Sequence, residues 1–330
     1  MKFMIAGLGS IGRRHLRHLK ALGETEILLY RTHQSTLPDD DLSGLLVETD
    51  LKAALATKPD AVIVSNPTAL HLDVAIPAAE QGCHILLEKP ISHNMERLDD
   101  LKQAAEKSGS RILVGFQFRY HPGLQKIVEV LASGEVGQPV SFRAHWGEYL
   151  PGWHPWEDYR ESYSARKDLG GGVILTLTHP LDYLHWMFGQ LDALWSFNGQ
   201  LSDLDLEVVD TAEIGLRYAN RVIGSVNLNY VQRPPRHQVE IVCTNGTIRW
   251  DNAGTGVEIY HAEKEDWAFH PLPEGFERDD LFRQQMVHFL KVVKGVEMPR
   301  CTLDDGIFAL QMALAAHQSS AEGVLWQQPK

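Results

Sequence analysis

The sequence predicts two domains of different architecture: a parallel α/β domain over residues 1–120 and an α+β domain with a largely antiparallel, open sheet over residues 121–330. Through about residue 120, short apolar runs alternate with amphipathic helical stretches, which is the pattern of βα units. Beyond residue 139, runs of alternating polarity are separated by turn sequences such as Asn245-Gly246, which are typical of hairpins. The length of 330 residues also suits two cores of ordinary size better than one.

The first element is an apolar run, Lys2 to Ala6, that leads directly into Gly7-Leu8-Gly9-Ser10-Ile11-Gly12. A helical pattern follows, and a second strand-like run, Ile27 to Tyr30, arrives at the spacing of a βαβ unit. In a dinucleotide site the three glycines of this motif form a tight turn, admit a pyrophosphate and let the helix pack closely. A plain strand-turn-helix is the alternative, but the flanking strands favour a Rossmann-type cofactor site.

The residue after the second strand indicates which dinucleotide is bound. NAD sites usually place an acidic residue there, which accepts hydrogen bonds from the ribose 2′-hydroxyl, whereas this strand ends Tyr30-Arg31-Thr32. A guanidinium suits a 2′-phosphate, so the sequence favours NADP over NAD. An exposed arginine that stacks on adenine is the competing interpretation, and it leaves NAD open.

Two further strand ends bring reactive side chains to the predicted sheet edge. Ala61 to Ser65 runs into Asn66-Pro67, and His71 follows on the next helix. His84 to Leu87 runs into Glu88-Lys89-Pro90. Loops at the carboxyl ends of such strands hold ligands in doubly wound sheets, and a lysine there can hydrogen-bond a substrate hydroxyl and transfer a proton. A helix-capping turn and a surface ion pair are the respective alternatives.

The second half contains an aromatic loop and an apolar helix with polar residues. The loop, Gly147 to Tyr163, carries aromatic side chains that suit a sugar ring, and basic side chains near it suit a carboxylate or phosphate. The helix, predicted over Val173 to Phe188, places His179 and Asp182 on one face. A self-packed surface loop and a core histidine are the alternatives. Further strands are predicted at 193–200, 211–219, 222–230, 237–244, 247–251 and 257–262, and helices at 280–294 and 303–322.

Composition and charge exclude several classes of protein. The formal net charge of −12 argues against a nucleic-acid partner, which would need a basic face. No apolar run approaches the length of a membrane span, and the glycine loop begins too early for a signal peptide. Cys83, Cys243 and Cys301 are widely spaced and odd in number. We therefore expect neither disulfides nor a metal site, and we expect a cytoplasmic protein.

Taken together, these motifs resemble the glucose–fructose oxidoreductase / inositol dehydrogenase / rhizopine-catabolism family, written Gfo/Idh/MocA. The resemblance covers essentially the whole chain and rests on Gly7 to Gly12, Asn66-Pro67-Thr68 with His71, Glu88-Lys89-Pro90, Gln117 to Tyr120, Gly170-Gly171-Gly172 and His179-Pro180-Leu181-Asp182. It implies that the first domain binds NAD or NADP and that the second supports the substrate and subunit contacts. It also implies a sugar-type substrate and a homodimer or homotetramer.

Carried onto this sequence, the family's catalytic lysine falls on Lys89 and its helix histidine falls on His179. Many members carry an aspartate four residues before that histidine, where this chain has Leu175. Either Asp182 or a threonine hydroxyl then orients His179, or Lys89 carries out most of the proton transfer. A cofactor-binding regulator without turnover gains some support from this departure.

The activity that the resemblance implies is hydride transfer between nicotinamide and a secondary hydroxyl or ketone of a sugar or sugar derivative, with acidic and nucleotide-linked sugars included. A nicotinamide-dependent glycosidase of the same architecture is an alternative. Lys89 and His179 are assigned as catalytic. Cofactor contacts are assigned to Gly7, Gly9, Ser10, Ile11, Gly12, Arg31, Ser65, Asn66, Pro67, His71, Glu88, Lys89 and Gln117. Substrate contacts are assigned to Lys89, Arg119, Tyr120, Trp153, His154, Tyr159, Arg166, His179 and Asp182.

Overall fold

The computed structural model of the chain describes residues 1–32, 42 and 44–328. The chain divides into two compact units, each discontinuous in sequence. The first unit contains residues 1–117, 168–170 and 277–310, and the second contains residues 118–167, 171–276 and 311–330. The sequence predicted one boundary near residue 120, which is close to the break after Gln117. It placed 277–310 in the second domain, whereas this segment packs in the first unit.

The first unit is built on a parallel sheet, which confirms the predicted α/β class. Six of the described strands pair in the order β3-β2-β1-β4-β5-β6. They are β1 (Lys2–Ala6), β2 (Glu26–Tyr30), β3 (Leu46–Glu48), β4 (Ala61–Val64), β5 (His84–Leu87) and β6 (Ile112–Val114). Every residue of β4 is buried, as expected of a central strand covered on both faces. Because the strand order reverses between β1 and β4, their carboxyl ends flank the position where such sheets bind ligands.

The helices follow the predicted pattern with two exceptions: a helix over 122–133 was not predicted, and one predicted helix is broken. They are α1 (Ser10–Ala21), α2 (Leu51–Ala56), α3 (His71–Glu80), α4 (Leu98–Ser108), α5 (Pro122–Ser133), α6 (Val173–Thr176), α7 (His179–Phe188), α8 (Arg278–Val293) and α9 (Leu303–Glu322). The prediction of one helix over 173–188 is wrong, because α6 ends before α7 begins. Pro180 explains the break: it has no N–H for the carbonyl of Thr176, and it is accommodated in the first turn of α7.

Helix α8 joins the first unit through contacts with α1. The guanidinium of Arg14 lies 4.4 Å from the centre of the Phe282 ring, and its Nε lies 3.2 Å from a carboxylate oxygen of Asp279. The ring of His15 meets the same phenylalanine in an edge contact at 6.4 Å. These contacts join the two ends of the unit's sequence, so local patterns give no sign of them.

The second unit is built on a mixed sheet in the order β14-β13-β12-β11-β7-β10-β9-β8-β15. The strands are β7 (Pro139–Tyr149), β8 (Leu191–Gly199), β9 (Thr211–Tyr218), β10 (Ile223–Asn229), β11 (Val231–Cys243), β12 (Gly246–Asp251), β13 (Gly256–His261), β14 (Asp266–Pro271) and β15 (Trp326–Gln327). Strands β7 and β10 are parallel, and the other described pairs are antiparallel. The predicted largely antiparallel sheet is therefore confirmed. Helix α7 covers part of one face, where Phe142 stacks on Phe188 with ring centroids 5.2 Å apart.

Strand β11 and the two edge strands, β14 and β15, depart from the sequence prediction. Strand β11 begins at Val231, whereas the sequence predicted a start at 237, because Pro234 and Pro235 interrupt the strand-like pattern. Prolines cannot donate ladder hydrogen bonds, and the register of β11 on β7 shifts between Val231 and Arg236. Neither β14 nor β15 was predicted. Strand β14 lies at one sheet edge, where Trp267 and Phe269 remain 39% and 54% exposed and give no buried pattern.

His121 caps α5 with a buried ring. Its Nδ1 accepts a hydrogen bond from the backbone N–H of Gly123 at 3.0 Å, and burial lowers the pKa of His121 to about 4. Because an unfolded histidine titrates at about pH 6.5, the unfolded chain binds more protons than the folded chain between these two values. The stability that depends on a neutral His121 is therefore complete above the unfolded pKa and is lost as the pH falls towards the folded one.

We expect the variant His121→Asn, which retains a capping oxygen, to be less sensitive to acid than the unmodified protein. Between pH 7 and pH 4.5, the unmodified protein should lose about 2–3 kcal/mol more of its unfolding free energy than the variant. Urea unfolding at the two pH values, followed by tryptophan fluorescence, measures the difference. Equal losses in the two proteins would show that His121 is not the group responsible.

Candidate active site

The glycine loop between β1 and α1 has no space for side chains at two positions. Gly7 has a φ of 87°, and a Cβ atom there would lie 2.4 Å from the backbone nitrogen of Asn66. A Cβ atom at Gly12 would lie 2.0 Å from the carbonyl oxygen of Gly7. The hydroxyl of Ser65 fastens the same turn, because it lies 2.9 Å from that carbonyl and donates to it. The tight turn and the close helix packing predicted from the motif are both present.

The middle of the loop faces open space. A Cβ atom at Gly9 would meet no described atom within 4 Å, and Gly9 is also the N-cap of α1. Ser10 and Ile11 begin the first helical turn, which contains no acidic residue. The backbone N–H groups of such a turn have no partner within the helix and attract anions. These residues fit the pyrophosphate of the predicted dinucleotide.

The loop after β4 is held by the buried ring of His71. Its Nε2 lies 2.9 Å from the carbonyl oxygen of Asn66, and the Asn66 amide donates to the carbonyl of Leu70 at 3.0 Å. Burial lowers the pKa of His71, although the charge of Glu88 acts in the opposite sense. Because Pro67 lies in the same loop, the predicted cofactor contacts at 65–67 and 71 share one ordered segment beside the glycine loop.

Glu88 and Lys89 follow β5, the neighbour of β4. Glu88 is buried and Lys89 is half-buried. Glu88 Oε1 lies 2.7 Å from Nε2 of His15 on α1, and its Oε2 accepts a hydrogen bond from the backbone N–H of Lys89 at 3.3 Å. Burial acts to raise the pKa of Glu88, but the bond to His15 and the charge of Lys89 hold it below its ordinary value. At neutral pH the first unit therefore presents an ionised carboxylate next to the lysine.

Arg31 and Gln117, two more predicted cofactor contacts, stand at strand ends of the first unit. Arg31 directly follows β2, and its backbone N–H bonds to the carbonyl of Glu48 at 3.1 Å. Arg31 is 8% exposed. Gln117 begins a short 3-10 turn and is 4% exposed. Contact of either side chain with a cofactor stays a prediction.

His179, in the second unit, begins α7 inside a cluster of aromatic rings. It is 1% exposed. Its ring stacks on Trp146 with the centroids 5.2 Å apart and meets the ring of Phe118 at 5.0 Å. Trp146 stacks in turn on His237 at 4.1 Å, and Nε2 of His237 lies 3.2 Å from the hydroxyl of Tyr183. These rings restrict the orientation of the His179 imidazole, which a residue in proton transfer requires.

Arg119 and Asp182 form a buried ion pair in the second unit. Nη2 of Arg119 donates to Oδ1 at 2.7 Å, and Nε lies 3.1 Å from each carboxylate oxygen. The two side chains are 4% and 1% exposed. This pair holds α7, which carries His179, against the 3-10 turn that contains Arg119. The substrate contacts assigned to Arg119 and Asp182 stay predictions.

The aromatic loop of the second unit folds into short 3-10 turns. Trp153 meets the ring of Tyr230 edge-on at 5.6 Å. The hydroxyl of Tyr159 accepts a hydrogen bond from a backbone N–H at 3.2 Å. His154 lies 5.0 Å from Trp156, which is 61% exposed. Trp153 and Tyr159 therefore have contacts within their own unit and are both half-buried, and Trp156 faces solvent.

Two further substrate contacts were assigned from sequence, Arg166 and Tyr120. The backbone N–H of Gly171 bonds to the carbonyl of Arg166, and that of Gly172 bonds to the carbonyl of Ser164, each at 2.9 Å. The second and third residues of the triple glycine thus hold the loop that carries Arg166. Tyr120 is 2% exposed. The contacts of Arg166 and Tyr120 with a substrate are not tested by this geometry.

Sequence reasoning missed three residues of these clusters: His15, Trp146 and His237. His15 lies three residues after Gly12, and this helical spacing could have placed it on the side that faces the sheet. Trp146 and His237 stand opposite each other on the paired strands β7 and β11. The sequence carries no local sign of that pairing.

Metal-binding clusters and membrane-spanning helices are both absent from the described residues. No group of three or more His, Cys, Asp or Glu side chains there is arranged to hold a metal ion. Across the same residues, no helix combines the length and apolar character needed to cross a membrane.

Two family profiles match the chain. Residues 1–116 match the profile described as "Oxidoreductase family, NAD-binding Rossmann fold", and residues 124–249 match the "GFO/IDH/MocA C-terminal domain". Among proteins of known name, a myo-inositol 2-dehydrogenase from Thermotoga maritima is 26% identical over 98% of this chain and 97% of its own length.

Solved structures share the same fold. A levoglucosan dehydrogenase in complex with NADH and levoglucosan superposes with a TM-score of 0.87 at 18% identity, over 100% of both chains. The WlbA dehydrogenase from Bordetella pertussis, in complex with NADH and UDP-GlcNAcA, gives a TM-score of 0.81 at 21% identity, over 100% of this chain and 98% of that one.

Proposed function

Because the chain belongs to the GFO/IDH/MocA family of NAD(P)-dependent oxidoreductases, we propose that it oxidises a secondary hydroxyl of a sugar or sugar derivative, or reduces the matching ketone. The family resemblance found in the sequence is confirmed by profiles that match both halves of the chain. The substrate and the direction of the reaction are the parts that we propose.

The observation that carries this proposal is the placement of Lys89. It follows β5, two strands from the strand that leads into the glycine loop, and it stands beside the ionised carboxylate of Glu88. Ligands of doubly wound sheets lie at these carboxyl ends. A carboxylate next to the lysine favours the ammonium form, which donates hydrogen bonds to a substrate oxygen.

The proposed mechanism divides the chemistry between the cofactor and two side chains. When bound, the nicotinamide supplies or accepts the hydride. In the oxidation direction, His179 takes the proton of the substrate hydroxyl, and the stacked ring of Trp146 keeps the imidazole oriented. Lys89 donates a hydrogen bond to the same oxygen and stabilises the negative charge that develops there. In the reduction direction, His179 returns a proton to the ketone oxygen, and Lys89 again donates a hydrogen bond to that oxygen.

The substrate class is supported by the relatives and by the aromatic loop. The related proteins are named for myo-inositol and levoglucosan, and one solved relative holds UDP-GlcNAcA. Each of these molecules carries several hydroxyl groups on a ring. Trp153 and Tyr159 offer ring faces for such a substrate, and Arg166 offers a guanidinium for an acidic or nucleotide-linked one.

The experiment that tests the proposal is a titration followed by a substrate panel. Cofactor-stripped protein is titrated with NADPH and NADH, and then mixed with sugars, cyclitols, sugar acids and nucleotide sugars in the presence of each cofactor. We expect a steady change in nicotinamide absorbance with at least one class. Product mass that differs from substrate mass by two hydrogens confirms net redox chemistry.

Two other functions remain as outcomes of this experiment. A nicotinamide-dependent glycosidase would release a cleaved sugar without a steady absorbance change. A cofactor-binding regulator would bind NADPH or NADH without converting any compound. The absence of the family aspartate at Leu175 is the feature that favours the regulator, and the Glu88-Lys89-Pro90 segment favours an enzyme.

The proposed preference for NADPH rests on Arg31. We expect Arg31→Ala to weaken NADPH binding by about tenfold or more and to change NADH binding little, because only NADPH carries a 2′-phosphate for the guanidinium. Nicotinamide fluorescence titrations measure both affinities. Arg17→Ala, at an exposed position of α1, is the matched control. If the affinities for NADPH and NADH fell equally in Arg31→Ala, the phosphate pairing would be wrong.

We also propose that a second copy of the chain covers the open face of the sheet in the second unit. Strand registers place Phe197, Ile223 and Val242 on that face, and they are 74%, 53% and 41% exposed. Trp195 lies on the same face beside Gly215. Apolar patches of this kind mark protein interfaces. Light scattering of the purified protein distinguishes the homodimer or homotetramer from a monomer.

A further inference from the structure

One hydrogen bond joins the helix that follows the glycine loop to the Glu88-Lys89-Pro90 segment. His15 Nε2 lies 2.7 Å from Glu88 Oε1, and the residues are 0% and 6% exposed. His15 lies three residues beyond Gly12, on the helix that begins at the glycine loop. Glu88 immediately precedes Lys89. The contact therefore connects the dinucleotide loop to the segment that carries the proposed catalytic lysine.

The surroundings of the pair determine where its proton lies. An ionised carboxylate only accepts hydrogen bonds, so Nε2 of His15 carries the hydrogen. Nδ1 of His15 is buried and has no hydrogen-bond partner among the described residues. The pair is thus a ring N–H of His15 that donates to the buried carboxylate of Glu88.

Cations near Glu88 favour its ionised form, and the charge of Lys89 lowers the pKa of the carboxyl. Burial lowers the pKa values of Arg14 and His71, and the charge of Glu88 acts on both in the opposite sense. Gly115 leaves room for the side chain, because a Cβ atom there would lie 3.0 Å from Glu88 Cδ. The carboxylate is thereby confined between α1, the end of β5 and the residue after β6.

We propose that His15 is a positioning residue for Lys89: it holds Glu88 as an oriented, ionised carboxylate, and Glu88 in turn keeps the neighbouring lysine in its ammonium form. The inference rests on the proposed catalytic role of Lys89. If the His15 donor is removed, the buried carboxylate loses its strongest hydrogen-bond partner, and we expect it to take up a proton instead. Lys89 then loses the adjacent negative charge.

The test compares His15→Gln, whose amide keeps a donor near the position of Nε2, with His15→Leu, which removes it. The first readout is the carboxyl titration of Glu88 by ¹³C NMR, assigned with Glu88→Gln. We expect the midpoint to stay low in His15→Gln and to rise well above the ordinary glutamate value in His15→Leu. A structural role alone would not separate the two variants in this way.

The second readout is the labelling of Lys89 by trace acetic anhydride, measured by mass spectrometry relative to the exposed Lys52 in the same molecules. It is carried out about one pH unit below the Glu88 midpoint of His15→Leu, so that the carboxyl is protonated in that variant only. We expect Lys89 labelling to rise by about three- to tenfold in His15→Leu and in Glu88→Gln, and to stay at the unmodified rate in His15→Gln.

Equal titration of Glu88 in His15→Leu and in the unmodified protein would overturn the inference, as would equal labelling of Lys89 in the two His15 variants. If His15→Leu does not fold, Glu88→Gln alone decides, because unchanged labelling of Lys89 there contradicts the proposal. Both readouts use protein without cofactor or substrate. A failed substrate panel therefore counts against the proposed function and leaves this test intact.

Discussion

Replacement of Lys89 by alanine is expected to lower kcat/KM by about 10²- to 10⁴-fold, because the variant lacks the group that stabilises charge on the reacting oxygen. Cofactor affinity should change little, since the glycine loop and the N-terminus of α1 are untouched. Steady-state absorbance with a substrate from the panel measures the rate, and nicotinamide fluorescence measures the affinity.

The matched control for this variant is Lys52→Ala. Lys52 lies on α2, is exposed, and belongs to neither motif of the first unit. It should retain the kinetic constants of the unmodified enzyme. Near-normal turnover in Lys89→Ala would falsify the catalytic assignment. A loss confined to KM would instead mean that the lysine binds substrate without acting in the transition state.

Asp182→Ala is expected to lower the unfolding free energy by about 3–5 kcal/mol, because it leaves the guanidinium of Arg119 buried without its carboxylate. The geometry supports a value in this range: the pair makes contacts of 2.7 Å and 3.1 Å and both side chains are almost fully enclosed. Urea unfolding followed by tryptophan fluorescence gives the free energy.

An exposed ion pair of the same unit provides the control. Arg217 Nε lies 2.6 Å from Asp192, but the side chains are 48% and 51% exposed. Asp192→Ala should therefore cost at most about 1 kcal/mol. If Asp182→Ala were no more destabilising than Asp192→Ala, the buried pair would not be the element that fastens α7.

The sequence was sufficient to predict the fold class and the positions of the glycine loop and of Glu88-Lys89-Pro90 at strand ends. The repeated βα pattern predicts parallel strands, because the helix between two successive strands returns the chain so that both strands run in the same direction. The steric need for glycine at Gly7 and Gly12 also follows from the motif, and the structure shows the backbone atoms that exclude a side chain there. Glu88-Lys89-Pro90 lies at the end of a strand, as the apolar run before it predicts.

The tertiary structure alone decided which distant residues meet. His15 and Glu88 are 73 residues apart, Arg119 and Asp182 are 63 apart, and each pair is buried. Residues 277–310 pack in the first unit through Arg14 and Phe282, although they follow the whole second sheet in sequence. Trp146 and His237 come together because β7 and β11 pair in one register. All of these cases have the same physical reason. Hydrophobic periodicity and turn residues determine structure over a few neighbouring residues. Which charges and rings meet in the interior depends on how whole helices and strands pack.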